Sequence, residues 1–231
     1  MKNPDAVWYR GHTSTDYSLI PSLLRHDKGP EVERGLFDEY EKFAENVHGR
    51  KDDDWLLLMD MQHYGIPTRL LDWTTVLGIA VSFAVLDGKD DEHSVIYMLD
   101  PIALNAESHI NEIVRIPARE RKFAYKDIYW KGDPFKPSNP IAVDAVFHNP
   151  RISAQNGTFT VHGTEQFGFK VPNTNGFDFG MRYKPHVDRV LLPASAKEEA
   201  REFLEHANIN AYTIYPDSVG IAHHLRRKFF G

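Results

Sequence analysis

Two short segments concentrate the side chains that are best suited to bind or transform a ligand. The first is Tyr9-Arg10-Gly11-His12, in which an arginine follows the apolar run Val7-Trp8-Tyr9. An unpaired charge at the end of a buried strand is costly, so Arg10 needs a partner. Asp72 would be a structural partner, whereas a ligand phosphate or carboxylate would be a functional one, because the planar guanidinium matches both.

The second segment runs from Gln62 to Thr74 and predicts a helix end, a tight turn at Gly65 and Pro67, and a new helix start. A purely structural interpretation has Asp72 or Thr74 capping that helix, Trp73 anchoring the core and Arg69 paired with Asp72. Plain turns are satisfied by Gly, Asn and Ser, so this density of polar and aromatic groups favours a ligand. The candidate ligand-facing residues in this segment are His63, Tyr64, Arg69, Asp72, Trp73 and Thr74.

A third cluster follows Asn149 and ends in a strand-like stretch. Gln155-Asn156-Gly157 predicts a turn into a strand. Arg151 and Gln155 are further candidates for a ligand-facing edge.

Composition limits the possible functions. The 231 residues carry a net charge of −6 and no cysteine, which excludes disulfides, thiolate zinc sites and cysteine nucleophiles. The acidic balance does not favour nucleic acid, although arginines focused in one cleft would allow it locally. The 12 histidines lack metal-ligand spacing, so no metal is expected. No apolar run approaches the roughly 20 residues of a membrane span, and no signal peptide is visible, so a cytoplasmic protein without a membrane partner is expected.

Hydrophobic periodicity predicts one α+β (mixed α/β) domain over residues 1–231. We expect a helix-rich N-terminal half and a β-rich second half around one central cleft, closed by a C-terminal β-α-β-α unit. That unit comprises a strand at 187–192, a helix to Ala207 opened by a Ser195–Glu198 capping box, a strand at 211–215 and a last helix with Ile221 and Leu225. The other elements expected are a helix that begins at Pro21, helices at 31–47, 53–64 and 76–86, and strands at 7–9, 94–99, 113–116, 142–147, 158–161 and 167–171.

The three clusters together resemble the FRG domain, a bacterial family named for a Phe-Arg-Gly near its start, here Tyr9-Arg10-Gly11. The segment Ile214-Tyr-Pro-Asp-Ser-Val-Gly-Ile-Ala222 also resembles the end of that family, so the similarity extends over nearly the whole chain. Its members look like parts of prophages, mobile elements and anti-phage defence. The resemblance therefore implies an effector or nucleotide-sensing role in bacterial conflict.

The order of these motifs also resembles a divergent ADP-ribosyltransferase, which uses NAD. By that resemblance Arg10 orients NAD, Trp73 or Tyr64 stacks on nicotinamide, and Gln155 positions the acceptor, with Glu165 as a fallback. The chain departs from the toxin type, because the middle Ser-Thr-Ser and a late Glu-x-Glu are missing. The predicted catalytic residues are Arg10, Gln155 and Asp72. The predicted ligand-binding residues are Tyr9, Gly11, His63, Tyr64, Arg69, Trp73, Thr74 and Arg151.

Three functions stay open at this point. The preferred one is an NAD-using ADP-ribosyltransferase or NAD hydrolase that acts on a nucleotide-like small molecule and an unidentified macromolecular acceptor. The alternatives are a non-catalytic module that binds a nucleotide or phosphorylated ligand, and an effector that acts on nucleic acid.

Overall fold

The fold is known from a computed structural model. It describes residues 7–48, 53–116, 124–137, 139–145, 150–163 and 186–230. Glu165 and the expected strand at 167–171 lie outside these residues, as do the last two positions of the strand expected at 142–147.

The described residues form seven strands and eight α-helices in irregular alternation. The strands are β1 (Trp8–His12), β2 (Leu70–Thr74), β3 (Ser94–Leu99), β4 (Val114–Ile116), β5 (Ile141–Ala145), β6 (Gly157–Val161) and β7 (Val187–Leu192). The helices are α1 (Gly29–His48), α2 (Asp54–His63), α3 (Leu77–Val85), α4 (Pro101–Ala106), α5 (Pro150–Ala154), α6 (Lys197–His206), α7 (Ala211–Ile214) and α8 (Ser218–Phe230).

All seven strands belong to one mixed sheet with the order β4-β5-β6-β2-β1-β3-β7. Only β4 and β5 run parallel, and the other neighbours are antiparallel. The α+β class expected from the sequence is confirmed. Because β1 and β2 lie side by side in the middle of the sheet, the first two sequence clusters meet there.

The strand β2 was not expected, since the segment was interpreted as a turn followed by a helix start. Leu70 and Leu71 are buried on opposite faces of the sheet, and the half-buried Asp72 interrupts the apolar pattern. A short central strand covered on both faces lacks the alternation that reveals a half-exposed strand. Asp72 therefore lies within a strand and caps no helix, and Val76 is the residue that precedes α3.

Four helices pack on one face of the sheet in two groups, whereas Leu104 of α4 packs on the opposite face. Helices α1 and α2 supply Phe37 and Trp55, which pack in one cluster with Leu70 of β2. Helices α3 and α6 cover Tyr9 and other residues of the neighbouring strands. The opposite face carries Trp8, Leu71, Trp73, Tyr97 and Leu99.

Gly11 is required by the close approach of α3 to β1. A Cβ at this position would lie 1.9 Å from the carbonyl oxygen of Ala80, so no larger residue fits without moving the helix. The glycine of the Tyr9-Arg10-Gly11 motif thus has a packing role beside any role toward a ligand.

The second strand predicted for the C-terminal β-α-β-α unit, at 211–215, is wrong, because residues 211–214 form helix α7. The side chain of Asn210 accepts hydrogen bonds from the backbone amides of Tyr212 and Thr213, and the Thr213 hydroxyl accepts one from the Asn210 amide. This capping box outweighs the strand preference of the Tyr-Thr-Ile sequence.

The capping box expected at Ser195–Glu198 is also wrong. A 3-10 turn (Ala194–Ala196) precedes α6, and Ala196 precedes the helix without a side-chain cap. Among the residues described, no helix is long and apolar enough to cross a membrane.

Candidate functional site

A cleft of about 250 Å³ lies at the centre of the sheet, next to the boundary between β1 and β2. The three sequence clusters come together in its walls. Nine of the predicted site residues line it, namely Tyr9, Arg10, Gly11, His63, Asp72, Trp73, Thr74, Arg151 and Gln155. Tyr64 and Arg69 are not among the lining residues.

The sheet opens at this cleft because β1 and β2 pair at one position alone, Tyr9 with Thr74. By contrast, β1 pairs with β3 along all five of its residues, and β2 does the same with β6. The guanidinium of Arg10 bridges the opening, with Nη1 donating a 2.6 Å hydrogen bond to the backbone oxygen of Asp72. Nη1 also lies 3.7 Å from Asp72 Oδ2, so the structural partner expected from the sequence is confirmed.

Arg10 is held in place by His12, two residues along the same strand face. Arg10 Nε donates to His12 Nε2 at 2.8 Å, so Nε2 must be unprotonated and the ring proton must lie on Nδ1. Nδ1 then donates to the backbone oxygen of Tyr17 at 3.1 Å. Burial and the charge of Arg10 lower the pKa of His12 to about 3, so the ring is neutral and keeps this tautomer.

The charge of Arg10 is shielded but not fully buried. Burial lowers the pKa of the guanidinium, and the nearby Asp72 carboxylate opposes that effect. The Arg10 side chain is 24% exposed and that of Asp72 is 50% exposed, so a ligand in the cleft can reach both.

The carboxylate of Asp72 is positioned by a chain of hydrogen bonds. The Leu70 amide donates to Thr68 Oγ1 at 3.0 Å, and the Thr68 hydroxyl donates to Gln62 Oε1 at 2.5 Å. The orientation of the Gln62 amide follows, and its Nε2 donates to Asp72 Oδ2 at 2.8 Å. Helix α2 therefore fixes the direction of the carboxylate in the cleft.

The third sequence cluster reaches the cleft through Thr74 and Gln155. The Thr74 hydroxyl donates to the backbone oxygen of Gln155 at 2.7 Å and accepts from the Val76 amide. Gln155 Nε2 donates to the backbone oxygen of Ile214 at 3.3 Å. The side chain of Gln155 is thus turned toward the C-terminal segment while it lines the cleft.

Arg151 and His63 form a second polar group in the cleft, near Tyr215 and Asp217. The guanidinium of Arg151 lies 4.2 Å from the ring centre of Tyr215. Burial raises the pKa of Tyr215, and Arg151 opposes that shift. Burial and Arg151 lower the pKa of His63, while Asp217 raises it. Arg151 therefore adds a second positive charge to the cleft, beside Tyr215.

Trp73 lines the cleft but belongs to the core. Its side chain is 5% exposed, and Nε1 donates to Thr160 Oγ1 at 3.0 Å. The less buried aromatic rings in the lining are those of Tyr9 and Phe83. A ring that stacks on a ligand is therefore more available on the α3 side, from Tyr9 or Phe83.

Arg69 lies away from the cleft, and its expected ion pair with Asp72 is wrong. Its guanidinium is bound by both carboxylate oxygens of Glu33, a buried pair that also includes the Tyr125 hydroxyl. Burial alone lowers the pKa of Arg69, but the bonds to Glu33 outweigh it and raise the pKa. Tyr64 is largely exposed, with its ring against His63.

Phe83 and two polar residues of the site were not identified from the sequence, although the two polar residues lie inside the motifs. His12 is next to Gly11, and Gln62 opens the second segment. Their spacing is a detectable signal: His12 shares a strand face with Arg10, and Gln62 lies in the last turn of a helix. Their partners, Tyr17 and Thr68, could not be inferred because the contacts depend on the turns between the elements.

Comparison with known proteins gives one match. Residues 5–93 match the model of the family described as the FRG domain, which confirms the resemblance seen in the sequence. The match includes Tyr9-Arg10-Gly11 and the whole Gln62–Thr74 segment. The cluster around Arg151 and the segment 214–222 lie beyond it. No curated protein and no solved structure matches the chain.

Proposed function

We propose that this FRG-domain protein binds NAD in the cleft between β1 and β2 and breaks the bond between nicotinamide and ribose. The ADP-ribosyl group would pass to water or to a macromolecular acceptor. The observation that carries this proposal is the opening of the sheet at Arg10, where a braced guanidinium and a positioned carboxylate face one cleft.

Arg10 suits the binding of a phosphate or a ribose hydroxyl. Its planar fork donates several N–H groups in fixed directions, and the neutral His12 holds that plane without adding a competing charge. Such preorganisation lowers the entropy that binding would otherwise cost. Arg151 supplies a second cation for the diphosphate of the ligand.

The aromatic rings of the cleft suit a planar base. Tyr9 and Phe83 line the wall on the side of α3, where nicotinamide could stack. The cleft volume of about 250 Å³ is below the usual range of roughly 300–1,000 Å³ for small-molecule pockets. It accommodates part of a dinucleotide, so the adenosine end would extend outside the cleft.

The proposed reaction uses Asp72 and Gln155 at the ribose. The C1′–N bond breaks, nicotinamide leaves with the electron pair, and positive charge develops on the ribose carbon and ring oxygen. The Asp72 carboxylate stabilises that charge, and Gln155 orients the incoming hydroxyl. The hydroxyl oxygen bonds to C1′, and its proton passes through Asp72 to solvent, so that water gives ADP-ribose, nicotinamide and one proton.

Release of nicotinamide from NAD by the purified protein tests this proposal. The assay is run in buffer alone and with protein, RNA and DNA acceptors. We expect turnover that Arg10→Ala abolishes while circular dichroism shows an intact fold. Arg115→Ala, at an exposed position on β4, is the matched control and should keep full activity. Absence of turnover with every acceptor would refute the catalytic proposal.

A second candidate is binding of a nucleotide without chemistry. It is favoured because both proposed catalytic side chains already have hydrogen-bond partners. Asp72 accepts from Gln62, and Gln155 donates to Ile214. The two cations of the cleft, Arg10 and Arg151, are therefore better placed to hold an anion than these side chains are to act as a base. Thermal shift with ADP-ribose and pyrophosphate tests it, because a ligand of the folded state stabilises by RT ln(1 + [L]/Kd). No shift with either ligand would exclude this candidate.

A further inference from the structure

Helix α8 extends from the body of the protein with most of its surface uncovered. Every described side chain from Ile221 to Phe230 except that of His224 is exposed. Its first turn is anchored closely, since a Cβ on Gly220 would lie 1.8 Å from the backbone oxygen of Tyr215. A helix of this length is marginal in water unless an apolar face is packed, so α8 needs a partner.

The exposed face of α8 is a basic amphipathic surface. Ile221, Leu225 and Phe229 follow one another at intervals of four residues, so they form one apolar stripe along the helix. By the rotation of 3.6 residues per turn, Arg226 and Lys228 lie on opposite flanks of that stripe.

Helix α1 carries an exposed surface of the complementary kind. Val32, Phe43 and Val47 are exposed and lie on one side of the helix by their spacing. The helix contains six acidic and two basic residues, and the exposed Glu39 lies beside the apolar strip. The chain therefore carries two exposed apolar surfaces, one on the acidic helix α1 and one on the basic helix α8.

We propose that α8 docks on α1 of a second copy of this chain. The Ile221–Leu225–Phe229 stripe packs against Phe43 and Val47, while the flanking cations face Glu39 beside that strip. In a twofold dimer the contact is made twice, which doubles the buried area. A second copy fits better than an anionic lipid surface, because the net charge of −6 repels such a surface from the rest of the molecule.

The test is the molar mass in solution, measured by light scattering during gel filtration over a range of concentrations. We expect the intact chain to run at twice the monomer mass. Phe229→Glu should raise the dissociation constant at least about tenfold, since it places a charge in the apolar stripe. Phe203→Glu is the matched control: Phe203 is 56% exposed on α6, against 69% for Phe229, and its replacement should leave the dimer intact.

Charge reversal distinguishes this contact from other ways to dimerise. Arg226→Glu with Lys228→Glu should weaken the dimer, and adding Glu39→Lys should restore it. A monomer at every concentration, or a dimer that Phe229→Glu leaves unchanged, would overturn the proposal. So would a monomer that sediments with phosphatidylserine vesicles through α8.

Discussion

Arg10 and Arg69 are both arginines of the family-matched region, and both suggest an anion site from sequence alone, yet they lie in opposite environments. Arg69 is 3% exposed and bound by both oxygens of Glu33, with Tyr125 completing the network. Arg10 is 24% exposed and faces a cleft, with one imidazole and one backbone oxygen as its hydrogen-bond partners.

The difference shows how a guanidinium is committed either to the fold or to a ligand. A bidentate carboxylate matches the fork of Arg69 and balances its charge inside the protein. His12 is neutral and the Asp72 carboxylate is 3.7 Å away, so the partners of Arg10 orient it without the tight pairing seen at Arg69. Arg69 is therefore expected to govern stability, and Arg10 is expected to govern ligand binding.

The largest expected effect is on stability, at the buried pair. Arg69→Met leaves the Glu33 carboxylate buried without its cation, and we expect the free energy of unfolding to fall by about 3–5 kcal/mol. Urea denaturation measures this change. Arg115→Met, at an exposed position on β4, should change it by less than about 0.5 kcal/mol. A loss below about 1 kcal/mol at Arg69 would contradict the assignment of this arginine to the fold.

The next effect is on ligand binding, at the cleft. Arg10→Lys keeps the charge but loses the planar fork, so NAD turnover or NAD affinity should fall at least about tenfold. Unfolding free energy should change by less than about 1 kcal/mol, since the side chain is only partly buried. Calorimetric titration and urea denaturation on the same variant separate the two quantities. A variant that binds normally but unfolds easily would reverse the contrast between the two arginines.

The pH dependence of stability tests the region between the two arginines, where His162 lies. Burial, Arg10 and Arg69 lower the pKa of His162 to about 3, well below the ordinary value of 6.5. Below pH 6.5 the unfolded chain takes up a proton that the folded chain refuses, so stability falls as pH decreases from 6.5 toward 3. His12 contributes in the same direction.

Each of these histidines adds a slope of up to about 1.4 kcal/mol per pH unit in that window. His162→Gln should therefore flatten the decline of unfolding free energy between pH 6 and pH 4, measured by urea denaturation. The exposed His26→Gln is the control and should leave the slope unchanged. An equal slope in wild type and His162→Gln would show that the imidazole does not stay neutral there.

The smallest effect is expected at the positioning residue Gln62. Gln62→Met removes the donor to Asp72 at nearly constant volume, and turnover should fall about tenfold with little change in KM. Thr68→Val leaves the Gln62 amide in place but removes the hydroxyl that orients it, so a smaller loss of turnover is expected. A loss confined to kcat in Gln62→Met, with an unchanged free energy of unfolding, would show that this side chain acts through Asp72 rather than through the fold. Unchanged kinetics in Gln62→Met would exclude this role.

Much of the candidate site could be predicted because its residues lie in three short motifs. Arg10, Asp72 and Gln155 share one cleft, as their sequence context suggested. Arg69 could not be separated from them, because its partner Glu33 comes from α1, and no local pattern reveals that contact. Trp73 was expected at a ligand, but its position on a central strand places its ring in the core.

Periodicity predicted the fold class correctly, and the two elements that were predicted wrongly, β2 and α7, have local causes. The strand β2 was missed because a short strand buried on both faces shows no alternation. The helix α7 was predicted as a strand because the β-branched and aromatic residues Tyr212, Thr213 and Ile214 conceal the Asn210 cap. In both places a tertiary contact or a cap outweighs the intrinsic preference of the residues.

The most direct test of the account is a crystal structure of the protein soaked with NAD. We predict density for the dinucleotide in the cleft between β1 and β2, with a phosphate or ribose oxygen within hydrogen-bond distance of the Arg10 guanidinium and the nicotinamide ring near Tyr9 or Phe83. The same soak of the Arg10→Lys variant should show weakened density or none. NAD bound elsewhere, or an unoccupied cleft at a concentration that saturates the protein in solution, would contradict the assignment of this site.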